Sequence, residues 1–134
     1  MKISTKGRYA LRMMIDIAEN SDNDRIPIKD ISERQGISLK YLEQIVTHLT
    51  RARLLRSGRG SGGGYMLTKL PEQYTVGEIL RALEGNMAPV ACLEDEINQC
   101  ERSCLCKTLE FWTGLHELVD DYVDSVTLKD FLRN

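Results

Sequence analysis

The sequence predicts a mainly α chain, broken by one β-hairpin and ending in a long C-terminal helix. Apolar residues recur at helical spacing through most of its length. A glycine-rich run separates two short apolar segments, Leu54–Leu55 and Tyr65–Leu67, which is the pattern of a hairpin. With 134 residues, 42% of them hydrophobic and 28% charged, the chain is sized and composed for one folded domain and far from a disordered composition.

From Ser4 to about Asn20, the positions Ala10, Leu11, Met14, Ile17 and Ala18 make a helical stripe, widened by Met13 and Ile15 and ended by Ser21-Asp22-Asn23-Asp24. A short second helix is expected from Pro27, a residue favoured at the first helical position, through Ile28 and Ile31 to Gly36. Ser38 is a good N-cap for a third helix whose buried stripe is Leu42, Ile45, Val46 and Leu49. A short helix, a tight glycine turn and a longer helix make a helix-turn-helix. The opposite face of the third helix displays Lys40, Glu43, Gln44, Thr47 and Arg51. These are groove-reading types: glutamine pairs with adenine, glutamate accepts from cytosine, and lysine or arginine serves guanine or phosphate.

The hairpin follows, with Gly58-Arg59-Gly60-Ser61-Gly62-Gly63-Gly64 at its tip. A phosphate-cradling loop would need a Lys-Ser/Thr ending and a following helix, whereas a strand-like segment follows here. A helix-turn-helix joined to an arginine-tipped hairpin is a winged helix, and Arg59 is suited to a narrow, electronegative minor groove. The capping-box pattern Thr75-Val76-Gly77-Glu78 then opens a fourth helix carrying Ile79, Leu80 and Leu83 to a stop at Gly85.

Charge agrees with this division. The net charge of -2 hides a basic half, residues 1–69, with 13 Lys/Arg against 7 Asp/Glu, and an acidic half, residues 70–134, with 5 against 13. The basic half is densest at Arg51, Arg53, Arg56 and Arg59, a pointer to nucleic acid or an anionic surface. No apolar run approaches the roughly 18 residues of a membrane span, and the amino terminus lacks the apolar core of a secretory signal, so a cytoplasmic protein without a membrane partner is expected.

The acidic half carries all four cysteines, Cys92, Cys100, Cys104 and Cys106, spaced C-x7-C-x3-C-x-C. In a reducing cytosol such clusters are metal ligands or redox sensors more often than disulfides. Zinc usually takes paired C-x2-C knuckles, which are missing; soft thiolates on a loop suit an iron–sulfur cluster at least as well, and spacing alone leaves the metal open. Beyond the loop, Leu105, Leu109, Trp112, Leu115, Val119, Tyr122 and Val126 form a helical seam. Because this helix follows an already complete core, it is expected to self-associate, and a two-fold dimer would read a palindromic operator in double-stranded DNA. The chain thus divides into a DNA-binding unit at 1–85, a cysteine-bearing loop at 86–106, and a dimerisation helix with its tail at 107–134.

Four segments carry a resemblance: Ile3-Ser4-Thr5-Lys6-Gly7-Arg8-Tyr9-Ala10-Leu11-Arg12, Ile37-Ser38-Leu39-Lys40-Tyr41-Leu42-Glu43-Gln44-Ile45, Gly58-Arg59-Gly60-Ser61-Gly62-Gly63-Gly64-Tyr65, and Thr75-Val76-Gly77-Glu78-Ile79. Together they resemble the bacterial iron–sulfur cluster regulator family of winged-helix transcription factors, with its IscR, NsrR and CymR types, and the IscR pattern most. The resemblance implies a homodimeric regulator, not an enzyme, of repressor type, controlling iron–sulfur biogenesis genes and holding a 2Fe-2S cluster, with 4Fe-4S as the other form. It implies Cys92, Cys100 and Cys106 as ligands, since Cys106 stands six residues before Trp112; the interval from Cys92 to Cys100 is then two residues longer than in the family.

Two departures leave the fourth ligand open. Leu109 stands where IscR-type chains place a histidine, and Arg8 where NsrR-type chains place an acidic ligand. Cys104 is the spare donor, able to ligate or to resolve an oxidised thiol. The resemblance also places Ser38, Lys40, Tyr41, Glu43 and Gln44 on the major groove or its backbone and Arg59 in the minor groove, and Arg51, from its place on the polar face of the third helix, is expected to join them. Glu43 repels phosphate and tolerates few base edges, so it would discriminate between operators. The alternatives are a cluster-free thiol or partner-responsive regulator of cysteine metabolism, as in the CymR type, and a small iron–sulfur electron-transfer protein.

Overall fold

Helix α1 (Thr5–Asn20) turns Ala10, Met13, Met14 and Ile17 inward with no exposed surface. The computed structural model describes residues 1–20, 22, 24–58 and 63–132, and in it α1 is the central strut on which α2 (Ile28–Gln35), α3 (Leu39–Arg51) and α4 (Val76–Glu84) pack. Helix α2 begins one residue later than its proline predicts, because Pro27 holds the extended cap position (φ −62°, ψ 138°). Its stop is as expected. Gly36 adopts the left-handed region (φ 65°) and its N–H donates to Ser32 O at 2.9 Å, a conformation that costs glycine little.

The angle between α1 and α2 is set by a polar contact. Asp16, the buried charged side chain among the described residues, accepts from Arg34 Nη2 (2.7 Å) and Nε (3.0 Å) and from Gln35 Nε2 (2.9 Å). The carboxylate raises the Arg34 guanidinium above its ordinary value, chiefly through this hydrogen bonding. Arg12, one turn earlier on α1, donates from Nε to Gln35 Oε1 (3.2 Å) and from Nη2 to the Gln35 carbonyl. Lines of charge-assisted bonds thus join two helices whose apolar stripes alone would let them slide.

After α3 the chain reverses at Arg53, a non-glycine residue at φ 63°, while Leu54 N–H reaches back to Leu49 O at 2.9 Å. Strands β1 (Leu55–Ser57) and β2 (Tyr65–Leu67) pair antiparallel with Leu55 opposite Leu67 and Ser57 opposite Tyr65. Sequence reasoning did not find the isolated bridge that flanks this two-stranded sheet. Ile26 and Tyr65 exchange both backbone hydrogen bonds (2.8 and 2.9 Å), so the segment before α2 flanks the hairpin. Gly64 permits the approach: it lies at φ 118°, and a Cβ there would stand 2.9 Å from the backbone of Ile26.

Thr75 caps α4 by accepting from Glu78 N–H at 3.0 Å, but the reciprocal half of the expected capping box is missing because the Glu78 carboxylate binds Lys69 Nζ (2.7 and 2.9 Å) instead. Helix α5 (Leu109–Ser125) starts four residues beyond Leu105 and ends before Val126, so both expected seam termini lie outside it. It rests on α4 through Val119 and Val123, which join Val126 against Val76, Leu80 and Met87, and through Arg81, which binds Asp120 (3.1 Å) and Asp124 (2.7 Å). The tail then returns. Val76 N–H donates to Val126 O (2.8 Å), Leu128 N–H to Tyr74 O (3.1 Å), and the Leu128 side chain is fully buried in the core of the amino-terminal helices. Residues after α5 therefore complete a core that the sequence reading treated as finished by Gly85.

Candidate nucleic-acid interface and cysteine loop

Helix α3 presents its two faces as its spacing requires. Leu42, Ile45 and Leu49 are fully buried, and Ser38, Lys40, Glu43, Gln44, Thr47 and Arg51 are exposed on the side away from them. Ser38 Oγ accepts from Tyr41 N–H at 3.2 Å, fixing the first turn. Thr47 turns its hydroxyl back to Glu43 O (3.0 Å), leaving Lys40, Glu43, Gln44 and Arg51 as the side chains that reach outward.

Tyr41 differs from the others. It is half-buried, its ring edge-on to Tyr9 of α1 at 5.5 Å, and Arg12 lies over the far ring at 5.2 Å to its centroid. The contact locks the start of the recognition helix to α1. Tyr9 and Arg12 are parts of this face that sequence reasoning left out; the i, i+3 spacing of an aromatic and an arginine on α1 was the available signal. In the hairpin, Arg53 and Arg56 are exposed, extending the basic surface from Arg51. Arg59 lies outside the described residues.

The four cysteines are free, Cys92 half-exposed and Cys100, Cys104 and Cys106 exposed. The segment before them is shaped by Asn86, whose Nδ2 donates to Glu94 O and whose Oδ1 accepts from Ala88 N–H, each at 2.6 Å. Asn98 Oδ1 accepts from Cys100 N–H at 2.8 Å. Cys106 sits at the entrance to α5 with Sγ 3.4 Å from Thr108 Oγ1, and hydrogen bonding by Thr108 draws its thiol below the ordinary cysteine value. Among the described residues no three His, Cys, Asp or Glu side chains are gathered at metal-binding distance, so Cys92, Cys100 and Cys106 are not brought together within the single chain. Their chemistry fits a soft-metal group: unpaired, accessible thiols on a loop.

Histidine contributes elsewhere. His116 is half-buried on α5, its Nε2 3.5 Å from Asp120 Oδ2, so it belongs to the α4–α5 contact with Arg81. The outer face of α5 is apolar, with Phe111, Leu118 and Tyr122 between 65% and 69% exposed at i, i+7 and i+11. Phe111 stacks edge-on against Trp112 at 4.9 Å. No helix among the described residues is long and apolar enough to cross a membrane.

A polar recognition helix beside a two-stranded wing, with a thiol loop ahead of a helix that keeps an apolar face outward, defines a winged-helix DNA-binding regulator. The chain matches the Rrf2 family, described as an iron-dependent transcriptional regulator, over residues 3–134, and it belongs to that family. It is 38% identical over 134 residues to the helix-turn-helix regulator IscR of Erwinia tasmaniensis, spanning all of this chain and 80% of that protein. The IscR of Pectobacterium atrosepticum is 39% identical with the same coverage. Among solved structures, CymR, the global cysteine regulator of B. subtilis, superposes with a TM-score of 0.80 at 40% identity, over 98% of this chain and 96% of that one. T. potens IscR superposes at 0.76 with 34% identity, over 98% and 86%. The chain is thus a transcriptional regulator and not an enzyme.

Proposed function

We propose that this regulator acts in the cytoplasm as a homodimer that reads a palindromic operator and represses iron–sulfur biogenesis genes according to the state of its cysteine loop. The outer face of α5 carries the dimer reading. Phe111, Leu118 and Tyr122 form one stripe, and the opposite face is already occupied by α4. A second copy presenting the same stripe satisfies it by two-fold symmetry and sets two recognition helices for paired half-sites. Lys40, Glu43, Gln44 and Arg51 then face base edges or phosphates, Ser38 and Tyr41 fix the helix that carries them, and Arg59 reads the minor groove.

Cys92, Cys100 and Cys106 would hold a 2Fe-2S cluster, with Cys104 as a spare donor. When bound, such a cluster supplies a centre that responds to iron supply and oxidation. What this chain contributes is a loop joined directly to α5, which in turn is clamped to α4 by Arg81; a change in the order of residues 92–106 shifts the population of dimers competent for DNA. Anaerobic purification tests this: visible iron–sulfur absorption with iron and sulfide in equal amounts is expected, together with a dimer by sedimentation. Colourless protein after anaerobic reconstitution rejects the cluster.

A second reading, a cluster-free thiol regulator, is favoured by one observation: among the described residues, no three donors are gathered. The similarity to CymR, described as a cysteine regulator, supports it. Under this reading the same anaerobic sample is colourless and its operator affinity responds to thiol oxidation.

A further inference from the structure

Tyr74 is fully buried, yet its hydroxyl makes a set of contacts that packing alone does not call for. It donates to Leu54 O (2.8 Å) and accepts from Thr68 N–H (2.7 Å). The Thr68 hydroxyl, 3.1 Å away, has its own proton committed to Arg53 O at 2.8 Å. Donor and acceptor counting closes: each hydroxyl spends its single proton on a carbonyl of the residues entering β1, and the amide just beyond β2 is satisfied by the tyrosine oxygen. Both legs of the hairpin are therefore fastened to one buried atom.

The rest of Tyr74 is fastened too. Its backbone carbonyl receives Leu128 N–H at 3.1 Å, so the tail that follows α5 ends on the same residue. Lys69 Nζ lies 4.8 Å over its ring while bound to Glu78 of α4. The hairpin is otherwise short, three residues a strand, and a two-stranded ribbon of that size has little stability of its own. Its direction depends on what holds its base.

We infer that Tyr74 is a positioning residue for DNA binding: its hydroxyl fixes the direction of the wing relative to the recognition helix. It touches no DNA itself. The inference rests on the reading that the hairpin contacts DNA, and the two fail separately in the test.

Four full-length proteins are compared: wild type, Tyr74→Phe, Arg59→Ala and the double variant. The probe is an operator duplex selected in vitro from a random pool with wild-type protein. Tyr74→Phe keeps the ring and removes the hydroxyl, so the helices stay folded with a melting temperature lower by roughly 5 °C. Amide exchange at Ile26, Gly58 and Tyr65 accelerates more than exchange within α1 and α3. Operator affinity falls about tenfold and the salt slope of binding drops by about one, as for a lost phosphate contact. On the Arg59→Ala background the same substitution costs less than about twofold, because a wing already without its tip has nothing left to aim. Thr68→Val, which releases Arg53 O and takes away the hydroxyl beside Tyr74 while keeping the Tyr74–Leu54 bond, shifts exchange and affinity in the same direction.

Unchanged exchange in the hairpin of Tyr74→Phe overturns the positioning role. An undiminished loss of affinity on the Arg59→Ala background overturns it as well, since the tyrosine then acts on the whole fold. If Arg59→Ala binds DNA as wild type does while hairpin exchange still accelerates in Tyr74→Phe, the wing's role in DNA binding is rejected and the fastening alone stands.

Discussion

The Asp16 carboxylate, 2% exposed on α1, holds the Arg34 guanidinium of α2 in a two-pronged pair at 2.7 and 3.0 Å. The partners are unequal: Arg34 keeps 38% of its side chain in solvent. Removing either one breaks the Arg34–Asp16 pair but strands different charges. Asp16→Asn leaves an arginine that water can solvate, at a cost of about 1–2 kcal/mol for the lost charge-assisted bonds. Arg34→Ala leaves a buried carboxylate supported by Gln35 alone and costs more, about 3 kcal/mol. Urea unfolding midpoints check the order, and equal losses would contradict the asymmetry.

Two adjacent glycines in the wing separate backbone strain from collision. Gly63 (φ 58°) has no described residue within 4 Å of where a Cβ would go, whereas Gly64 (φ 118°) would press a Cβ against the Ile26 backbone at 2.9 Å. Gly63→Ala therefore pays only for a left-handed conformation, about 1 kcal/mol. Gly64→Ala must also part Ile26 from Tyr65, losing two backbone hydrogen bonds, and is expected to cost about 3 kcal/mol. Thermal melts of the two variants test the difference, and amide exchange at Ile26 shows whether the bridge opens in Gly64→Ala alone.

The α5 stripe makes the quaternary prediction. Leu118 is 69% exposed at the centre of the stripe formed with Phe111 and Tyr122. Leu118→Glu is expected to leave the monomer's fold intact, because the side chain is largely exposed among the described residues, but puts a charge opposite its own copy. Sedimentation is expected to show a monomer with unchanged helical content, and operator affinity at 0.1 M salt to fall more than about a hundredfold as the paired half-sites are lost. A dimeric Leu118→Glu protein would place the interface elsewhere.

The helices were legible because their signals are local: the stripe Leu42, Ile45, Leu49 and the cap Ser38 appear in the structure where periodicity and capping put them. What escaped were contacts between residues distant in sequence. Nothing near Leu128 announces that it fills a core built by α1 and α3, and Ile26 pairs with Tyr65 across 39 positions. Nothing in the local sequence marks Asp16 as the buried carboxylate that Arg34 and Gln35 of α2 enclose. Glu78 satisfied the capping pattern by type, yet Lys69, brought over Tyr74, outcompeted the Thr75 backbone for its carboxylate. That α3 keeps a polar face outward was legible by residue type; that Tyr41 leans on Tyr9 was not, because ring packing depends on the angle at which two helices cross.

Glu43 stands exposed on α3, one turn from Lys40 and Thr47, where its carboxylate faces whatever the helix reads. A carboxylate accepts from cytosine and repels phosphate, so on the proposed DNA-reading face it is expected to penalise operators that offer no donor there. Glu43→Ala is expected to bind such operators about tenfold more tightly, with little change at its preferred site, and cluster occupancy to alter the difference when apo and reconstituted protein are compared by band shift. Unchanged discrimination between operators would sink this role.

The cysteines make the last prediction. Cys106 is fixed beside Thr108 at the start of α5, while Cys92 and Cys100 lie on the loop ahead of it and Cys104 only two residues away. The spacing of the resembled family selects Cys92, Cys100 and Cys106, so Cys104 is the spare donor of the four. Alanine at Cys92, Cys100 or Cys106 is expected to abolish retention of iron and sulfide after anaerobic reconstitution, and alanine at Cys104 to leave most of it. The loop is exposed and contributes little to the core, so all four variants should melt within about 2 °C of the wild-type apoprotein. Iron and acid-labile sulfide assays on each variant decide: equal loss in all four makes Cys104 the fourth ligand, and retention in all four removes the cluster from this loop.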